Sequence, residues 1–323
     1  MELLTISRIK AARACQRLHL LSYVQGYRPA VDAETLRFGA LVHRGLEAWW
    51  RAAGDARLDA ALGALEGESD PYDLARAQVM LLGYHARWAA EVIEVIGVEV
   101  EFRAPLINPA TGYPSKTYEI GGKIDAVAQL ADGRIVTVEH KTSSEDITPG
   151  SDYWRRLRID GQVSLYFDGA RALGHHAEAC LYDVLGKPGY RPLKATPLEA
   201  RKFTKDGRLY AAQRDHDETP QEYRVRLAEA VAAEPAAYYA RGEVVRLEAD
   251  LEDARYDVWQ TASQIREARN AGHAPRNPGA CQSYGRTCAF FAVCCREASL
   301  DDPRQFRKLT VMHEELAQSA PAA

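Results

Sequence analysis

Two strand-like segments joined by a short polar turn constrain the fold of this chain more than any other feature of its 323 residues. Residues 123–130 and 135–141 are rich in isoleucine, valine and alanine, and Asp132 and Gly133 lie between them. Runs of this composition around an Asp-Gly pair predict a β-hairpin. The length of the turn then decides which residues share a face, because a shift of one residue moves every side chain to the other face.

Two turn lengths are compatible with the sequence. A two-residue turn would leave Asp125 and Glu139 on opposite faces of the hairpin. A three-residue turn, 131–133, would place them directly opposite each other on one face. The longer turn needs a residue in the left-handed conformation at its end, and Gly133 occupies that position. The chemistry of the two carboxylates decides between the two turns.

The segments around the hairpin predict helices on both sides of a strand region. Ser7 is the predicted N-cap of the first helix. Apolar periodicity predicts helices over 7–17, 34–50, 72–96, 157–173 and 220–272, and further strands over 98–102, 117–120 and 179–184. The region from Asn277 is predicted to be loop-like, and residues 317–323 to be disordered. This order predicts an α/β core with helical additions at both ends.

We interpret residues 1–300 as one domain. Its predicted parts are a helical region over 1–97, a catalytic α/β core over 98–185 and a helical, cysteine-rich region over 186–300, followed by a partly disordered tail over 301–323. Composition is that of an ordinary soluble domain, with 46% apolar and 27% charged residues. The sequence contains neither a signal peptide nor an apolar run of the roughly 20 residues that span a membrane. A cytoplasmic protein without a membrane partner is therefore expected.

The end of the hairpin carries a set of residues suited to phosphodiester hydrolysis. Glu139 and Lys141 are two residues apart in a strand, so their side chains point the same way. If Asp125 faces Glu139, two carboxylates can hold Mg²⁺ or Mn²⁺, and the lysine can orient a water molecule and stabilise developing charge. This chemistry favours the three-residue turn. Glu101 is interpreted as an exposed strand residue rather than a further ligand.

Four short motifs resemble those of the RecB-type branch of the PD-(D/E)XK nucleases. They are Gly122–Asp125, Glu139–Thr142, Gly39–His43 and Gln162–Tyr166, in the chain order 39–43, 122–125, 139–142 and 162–166. The resemblance implies a restriction-endonuclease-like core, with a mixed central sheet flanked by helices. It also implies a metal site formed by His43, Asp125, Glu139 and the backbone carbonyl of His140. Gln162 and Tyr166, four residues apart, share a helix face and are expected to reach the active site or the DNA backbone.

The six cysteines predict a second metal site. Cys281, Cys288 and Cys294 lie close together in the sequence, while Cys15 stands near the other end. One early and three late cysteines resemble the iron–sulfur motif of the CRISPR-associated adaptation nucleases and the AddB nuclease domain, which implies a [4Fe–4S] cluster. A structural Zn²⁺ site and free thiols are the alternatives. Cys294 rather than Cys295 is the predicted fourth ligand, and Cys180, within an apolar strand, is a predicted core residue.

The remaining expectations concern the substrate. Trp154, Arg155, Arg156 and Arg158 form either a DNA-contacting segment or a solvated turn. The chain has no P-loop and hence no helicase motor of its own. The motif order looks like that of free-standing phage and prophage nucleases. It implies an exonuclease acting on DNA ends in recombination or DNA processing, with a phage recombination or annealing protein as a further partner. An inactive DNA-binding subunit and an iron–sulfur redox protein are the alternatives.

Overall fold

A mixed β-sheet forms the centre of the protein. The computed structural model describes residues 1–31, 33–283, 285–313 and 316. Within these residues the sheet has six strands: β1 (Glu2–Leu4), β3 (Ile93–Ile107), β4 (Pro114–Leu130), β5 (Ile135–Ser143), β6 (Ala179–Gly186) and β7 (Tyr239–Val244). β4 pairs with β3 along one edge and with β1 and β5 along the other, and β6 and β7 continue beyond β5. The β1–β4 and β5–β6 pairs are parallel and the others antiparallel, which gives the mixed sheet expected from the sequence.

Helices cover both faces of this sheet. The helices are α1 (Ile6–Ala14), α2 (Gln16–His19), α3 (Glu34–Arg51), α4 (Ala56–Gly63), α5 (Pro71–Trp88), α6 (Asp152–Leu157), α7 (Gly161–Ala172), α8 (Pro220–Ala233), α9 (Pro235–Tyr238), α10 (Glu248–Asn270) and α11 (Phe291–Cys294). One core packs α3, α4, α5 and α8 against the sheet, and a second packs α1, α7 and α10 against the other side. In the described part of the chain, every helix is too short or too polar to cross a membrane.

The C-terminal region returns to the N-terminal helices. Strand β10 (Phe306–Lys308) pairs antiparallel with β2 (Tyr27–Pro29), and Phe290 and Phe306 stack in a small cluster with Leu21. Asn277 donates a side-chain hydrogen bond of 2.8 Å to the carbonyl of Ala14. The predicted tail therefore includes a paired strand, whereas the predicted disorder over 317–323 lies outside the described residues.

Several predicted helices were wrong at their ends. Thr5, not Ser7, is the N-cap of α1, because Thr5 is extended and its hydroxyl accepts from the amide of Arg8. The helix predicted over 72–96 ends at Trp88, since the β-branched residues that follow extend into β3. The helix predicted over 157–173 is interrupted before α7, where the carboxylate of Asp160 caps the second segment.

The long helical prediction over 220–272 concealed a strand. Residues 239–244 form β7, which pairs with β6 and closes that side of the sheet. Alanine and glutamate dominate the sequence on both sides of it, so local composition favours helix throughout. The pairing with β6 is a tertiary contact, and it overrides that local preference.

Side-chain alternation changes face in the middle of β3. Val98 packs against the core formed with α3 and α5, whereas Val100, two residues later, packs against the core formed with α7. Alternate residues of a regular strand would face the same side. Glu99 lies between them with φ of 55°, a left-handed conformation that is rare for residues other than glycine. The local turn at Glu99 thus redirects the outer half of β3 toward α7.

Helix α7 approaches β3 closely at Gly169. A Cβ atom at this position would lie 2.7 Å from the ring of the buried Phe102, too close for any real contact. We expect Gly169→Ala to destabilise the protein, because overpacking costs about 1–3 kcal/mol and outweighs the gain of at most about 1 kcal/mol from removing a helical glycine. Urea denaturation measures the change.

Gly63 provides the matched control for this substitution. It also lies in a helix, but a Cβ there would meet no atom within 4 Å. Gly63→Ala should be neutral or slightly stabilising. Equal effects of the two substitutions would show that the contact between α7 and Phe102 does not limit stability.

Candidate active site

The β4–β5 hairpin has the three-residue turn that the chemistry favoured. The amide of Gly133 donates to the carbonyl of Leu130, and the amide of Leu130 donates to the carbonyl of Arg134, both at 2.9 Å. Gly133 has φ of 88°, the left-handed conformation that this turn needs. The strand pairing that follows from the turn runs to Ala126 and Val138, and the same register continued by one residue places Asp125 opposite Glu139. The register prediction is therefore confirmed.

Glu139 is the most enclosed of the predicted site residues, at 1% exposure. Its Oε1 accepts a hydrogen bond of 2.8 Å from the side-chain amide of Gln162 and contacts the ammonium of Lys141. The same Gln162 amide donates to the hydroxyl oxygen of Tyr166 at 2.9 Å, and that hydroxyl donates to the carbonyl of Lys123 at 2.9 Å. Gln162 and Tyr166 thus share a face of α7, as their spacing predicted, and that face borders the site.

The peptide groups of His140 join the other two predicted residues. The amide of His140 donates to Oδ2 of Asp125 at 2.8 Å, and its carbonyl oxygen lies 2.8 Å from Nε2 of His43 on α3. A carbonyl can only accept, so Nε2 carries the proton in this contact. The Nδ1 atom of His43 lies 4.0 Å from Oδ2 of Asp125. Helix α3 and strands β4 and β5 therefore meet at one point.

Burial and crowding of like charges shift the proton affinities of these groups. Burial, followed by the neighbouring Glu139, raises the pKa of Asp125 to about 7, although His140 and Lys141 oppose the shift. Burial opposes the charge of Lys141, but the carboxylates of Glu139 and Asp125 outweigh it and raise its pKa. Burial and then Lys141 lower the pKa of His43. The metal-free site therefore holds less negative charge near neutral pH than its composition suggests.

The donor set fits a hard divalent cation in chemical type. Two carboxylates, a carbonyl oxygen and an imidazole lie together, and among the described residues nothing hydrogen-bonds to the buried Oε2 of Glu139. As these side chains stand, no group of three or more His, Cys, Asp or Glu in the described ranges is arranged to hold a metal ion. Each of the four donors already has a contact: Glu139 with Lys141, Asp125 with the backbone N–H of His140, and the imidazole of His43 with the carbonyl of His140.

Glu99 also lies at this site, although the sequence did not indicate it. The pairs on either side of it place Glu99 opposite Asp125, and its carboxylate contacts the ammonium of Lys123. Its negative charge also acts on His43, where it opposes the lowering of the pKa. Glu101, which the sequence singled out, is exposed as predicted. The unusual φ of Glu99 gives the two glutamates different surroundings. The alternating sequence around them does not indicate this difference.

The segment predicted to contact DNA is only partly available for that role. The indole N–H of Trp154 donates to the carbonyl of Ile147 at 2.8 Å, and its ring packs near Tyr182. Arg155 pairs with a neighbouring aspartate, and Arg156 makes two hydrogen bonds to Glu145. The contact of this segment with DNA stays a prediction.

The four cysteines predicted to bind a cluster are close enough for their charges to interact, although no three of them, within the described ranges, are arranged to hold a metal ion. The pKa of Cys294 is raised by burial and then by the thiols of Cys288, Cys15 and Cys281, against an opposing effect of Arg17. The amide of Asn277 donates to Sγ of Cys15 at 3.3 Å, and Sγ of Cys281 lies 3.7 Å from the carbonyl of the same asparagine. Cys295, next in the sequence, is exposed, and Cys180 is fully buried in β6.

Comparison with known proteins gives one informative match. The model of the PD-(D/E)XK nuclease superfamily matches residues 3–295, most of the chain. Among solved structures, the chain is similar to the "Putative exonuclease" of Eubacterium rectale, with 12% identity, a TM-score of 0.46, and coverage of 99% of this chain and 94% of that one. It is similar to the protein SSO0001 with 17% identity, a TM-score of 0.30, and coverage of 72% and 76%. No curated protein sequence matches it.

The raised pKa of Asp125 predicts how metal-free stability depends on pH. The native carboxyl keeps its proton to about pH 7, whereas the unfolded one loses it near 3.8. Ionisation therefore favours the unfolded chain, and this residue's contribution to stability falls as pH rises from about 4 to 7. Asparagine cannot ionise. In EDTA, the melting temperature of Asp125→Asn relative to wild type should thus increase across this window, as calorimetry at several pH values can measure.

Asp132 provides a contrast of opposite sign. It lies exposed in the turn, where hydrogen bonds from Arg134 lower its pKa. Its contribution is present at neutral pH and is lost on acidification. Asp132→Asn should therefore lower the melting temperature, and this deficit should vanish at low pH. Parallel pH profiles for the two variants would contradict the assignment of Asp125.

Proposed function

The chain belongs to the PD-(D/E)XK nuclease superfamily, and we propose that it is a divalent-metal-dependent deoxyribonuclease that acts as an exonuclease on DNA ends. Nucleases of this superfamily generally use Mg²⁺ or Mn²⁺. One observation carries the proposal: the hairpin register leads to Asp125 and Glu139 as the next pair, Lys141 contacts Glu139, and the carbonyl of His140 accepts from His43. Hydrolysis of a phosphodiester requires such a set of metal-binding oxygen and nitrogen atoms, together with a positively charged side chain beside them.

Each group has a distinct proposed role. Asp125, Glu139, the carbonyl of His140 and the imidazole of His43 would hold the cation. When bound, the cation neutralises charge on the scissile phosphate and makes water a better nucleophile. Lys141 donates to the attacking water and to the phosphate oxygens as charge develops there.

Two further residues act through Glu139. Gln162 holds its Oε1 by a 2.8 Å hydrogen bond, so that Oε2 is left for the cation. Tyr166 fixes the amide of Gln162 in turn and ties α7 to β4 through the carbonyl of Lys123. These two residues are proposed to orient the carboxylate, as hydrogen-bond partners of metal ligands commonly do.

Substitution of the three central residues tests this assignment. Asp125→Ala, Glu139→Ala and Lys141→Ala should each abolish cleavage while leaving the melting temperature near that of the wild type, because these side chains serve the cation and the water rather than the core. Glu101→Ala is the matched control, since it removes an exposed carboxylate from the neighbouring strand β3. Cleavage by Lys141→Ala at the wild-type rate would contradict the role of the lysine.

Defined DNA substrates distinguish the type of nuclease. End-labelled linear single and double strands and covalently closed circles are digested with Mn²⁺ and, in parallel, with EDTA. We expect loss of the linear substrates from their ends, intact circles and no cleavage in EDTA. Cleavage of the circles would replace exonuclease by endonuclease. Binding of DNA without any cleavage would establish the inactive DNA-binding subunit instead.

We also propose that Cys15, Cys281, Cys288 and Cys294 bind a [4Fe–4S] cluster with a structural role. The effects of the other three thiols on the pKa of Cys294 support the proximity of the four. Such a cluster would join α1 to the C-terminal region, 266 residues apart between the first two ligands (281 − 15). Crosslinking so long a segment stabilises the fold by restricting the unfolded chain.

Adjacent cysteines give this proposal a sharp test. Anaerobically purified protein should be brown and contain iron and sulfide. Cys294→Ser should bleach the protein and should affect its melting temperature more than its rate of cleavage. Cys295→Ser should change neither the colour nor the melting temperature. Colourless protein with one zinc per chain would establish a Cys₄ zinc site instead, and colourless protein without metal would leave free thiols.

A further inference from the structure

A row of buried polar residues crosses three strands directly behind the candidate active site. His140 on β5 is paired in register with Asp183 on β6, and Asp183 is paired with Arg241 on β7. Nδ1 of His140 lies 3.1 Å from Oδ2 of Asp183, and a guanidinium nitrogen of Arg241 lies 3.0 Å from the same oxygen. The three side chains are between 0% and 4% exposed.

Two helices cover this row. The hydroxyl of Tyr84 on α5 donates to Oδ2 of Asp183 at 2.6 Å and accepts from Arg241 at 3.0 Å. The indole N–H of Trp50 on α3 donates to the same hydroxyl at 2.9 Å, and its ring lies 5.3 Å from that of His140. The carboxylate of Asp183 thus has a histidine, an arginine and a tyrosine around one oxygen.

Stability alone does not account for this arrangement. Removing two charges from water is costly, and apolar residues of similar size often replace a buried ion pair without loss of stability. The row therefore needs another explanation. Its position offers one, because its first member is the residue between Glu139 and Lys141.

His140 connects the buried row to the candidate active site. Its imidazole is held by Asp183, while its backbone N–H donates to Asp125 and its carbonyl accepts from His43. Fixing the side chain of a strand residue limits rotation of the backbone on both sides of it. A rotation of β5 at this point would move the carbonyl of His140 and the carboxylate of Glu139 together, and sites of this kind tolerate displacements of only about 0.5 Å.

We propose that Asp183 and Arg241 are positioning residues for the divalent cation of this site. Resting on the proposed function, the inference adds that cation affinity is set partly by buried residues on β6 and β7 that do not bind the cation. Asp183 fixes the imidazole of His140, Arg241 fixes Asp183, and neither side chain touches the cation or the DNA. Losing the carboxylate charge should loosen β5 and weaken cation binding more than it weakens folding.

Direct titration with Mn²⁺ tests this without relying on cleavage. Free Mn²⁺ is followed by electron paramagnetic resonance in DNA-free protein, beside the melting temperature of each variant. Asp183→Asn should weaken Mn²⁺ binding by about 10–100-fold, the usual effect of removing a hydrogen-bond partner of a metal ligand. With DNA present, excess Mn²⁺ should restore much of the lost cleavage rate.

A second buried ion pair supplies the control. Glu218 is 2% exposed and makes two hydrogen bonds of 2.7 Å to Arg226 of α8, outside the row behind β5. Glu218→Gln should lower the melting temperature in the same way but change Mn²⁺ affinity by no more than about twofold, as expected for an independent site. Wild-type Mn²⁺ affinity in folded Asp183→Asn would overturn the proposal.

A milder variant keeps the test decisive if Asp183→Asn does not fold. Tyr84→Phe removes one hydroxyl donor to Asp183 and leaves the ion pair with Arg241 in place. It should weaken Mn²⁺ binding in the same direction by a smaller factor, and unchanged affinity would then overturn the proposal. Wild-type protein that binds Mn²⁺ but cleaves no DNA would overturn the proposed function alone, because the Mn²⁺ titrations would still decide the role of Asp183.

Discussion

The hydrogen bond from the amide of His140 to Asp125 is the contact on which the rest of the site depends. It forms only when β4 and β5 pair in the register that the turn at Gly133 imposes. Through it, the carboxylate of one strand is held against the backbone of the next, close enough to Glu139 for the two negative charges to interact. Helix α3 then meets this point through His43, and α7 meets it through Gln162. Each helix contributes one side chain to a centre that the hairpin has already defined.

Sequence predicted the parts of this centre that depend on short spacing. The two-residue step from Glu139 to Lys141 and the four-residue step from Gln162 to Tyr166 follow from strand and helix geometry alone, so the sequence was enough to assign them. Glu99, Asp183 and Arg241 could not be assigned in this way, because each owes its position to pairing between strands distant in the sequence. The missed strand β7 has the same origin, since its residues sit in a helix-favouring context and become a strand only beside β6. Local sequence pattern indicates which residues are suited to the chemistry of the site. Pairing between strands that are distant in the sequence determines which other residues surround them.

The site also holds two like charges close together. Without a cation, the carboxylates of Asp125 and Glu139 repel each other in a buried environment, and Lys141 relieves only part of that repulsion. The surrounding fold must therefore be stable enough to tolerate an unfavourable cluster. The two apolar cores on either side of the sheet supply that stability, and both contribute residues from β4, next to Asp125.

The pairing of β10 with β2 bears on the order in which the chain acquires its structure during synthesis. Strand β2 and helix α1 are made long before their partners, since Phe306 follows Pro29 by 277 residues and Asn277 follows Ala14 by 263 residues. The central sheet can assemble while those N-terminal elements still lack their final contacts. At translation rates of roughly 5–20 residues per second, that interval lasts some tens of seconds. Over this time Leu21 lacks the rings of Phe290 and Phe306, which cover it in the folded protein.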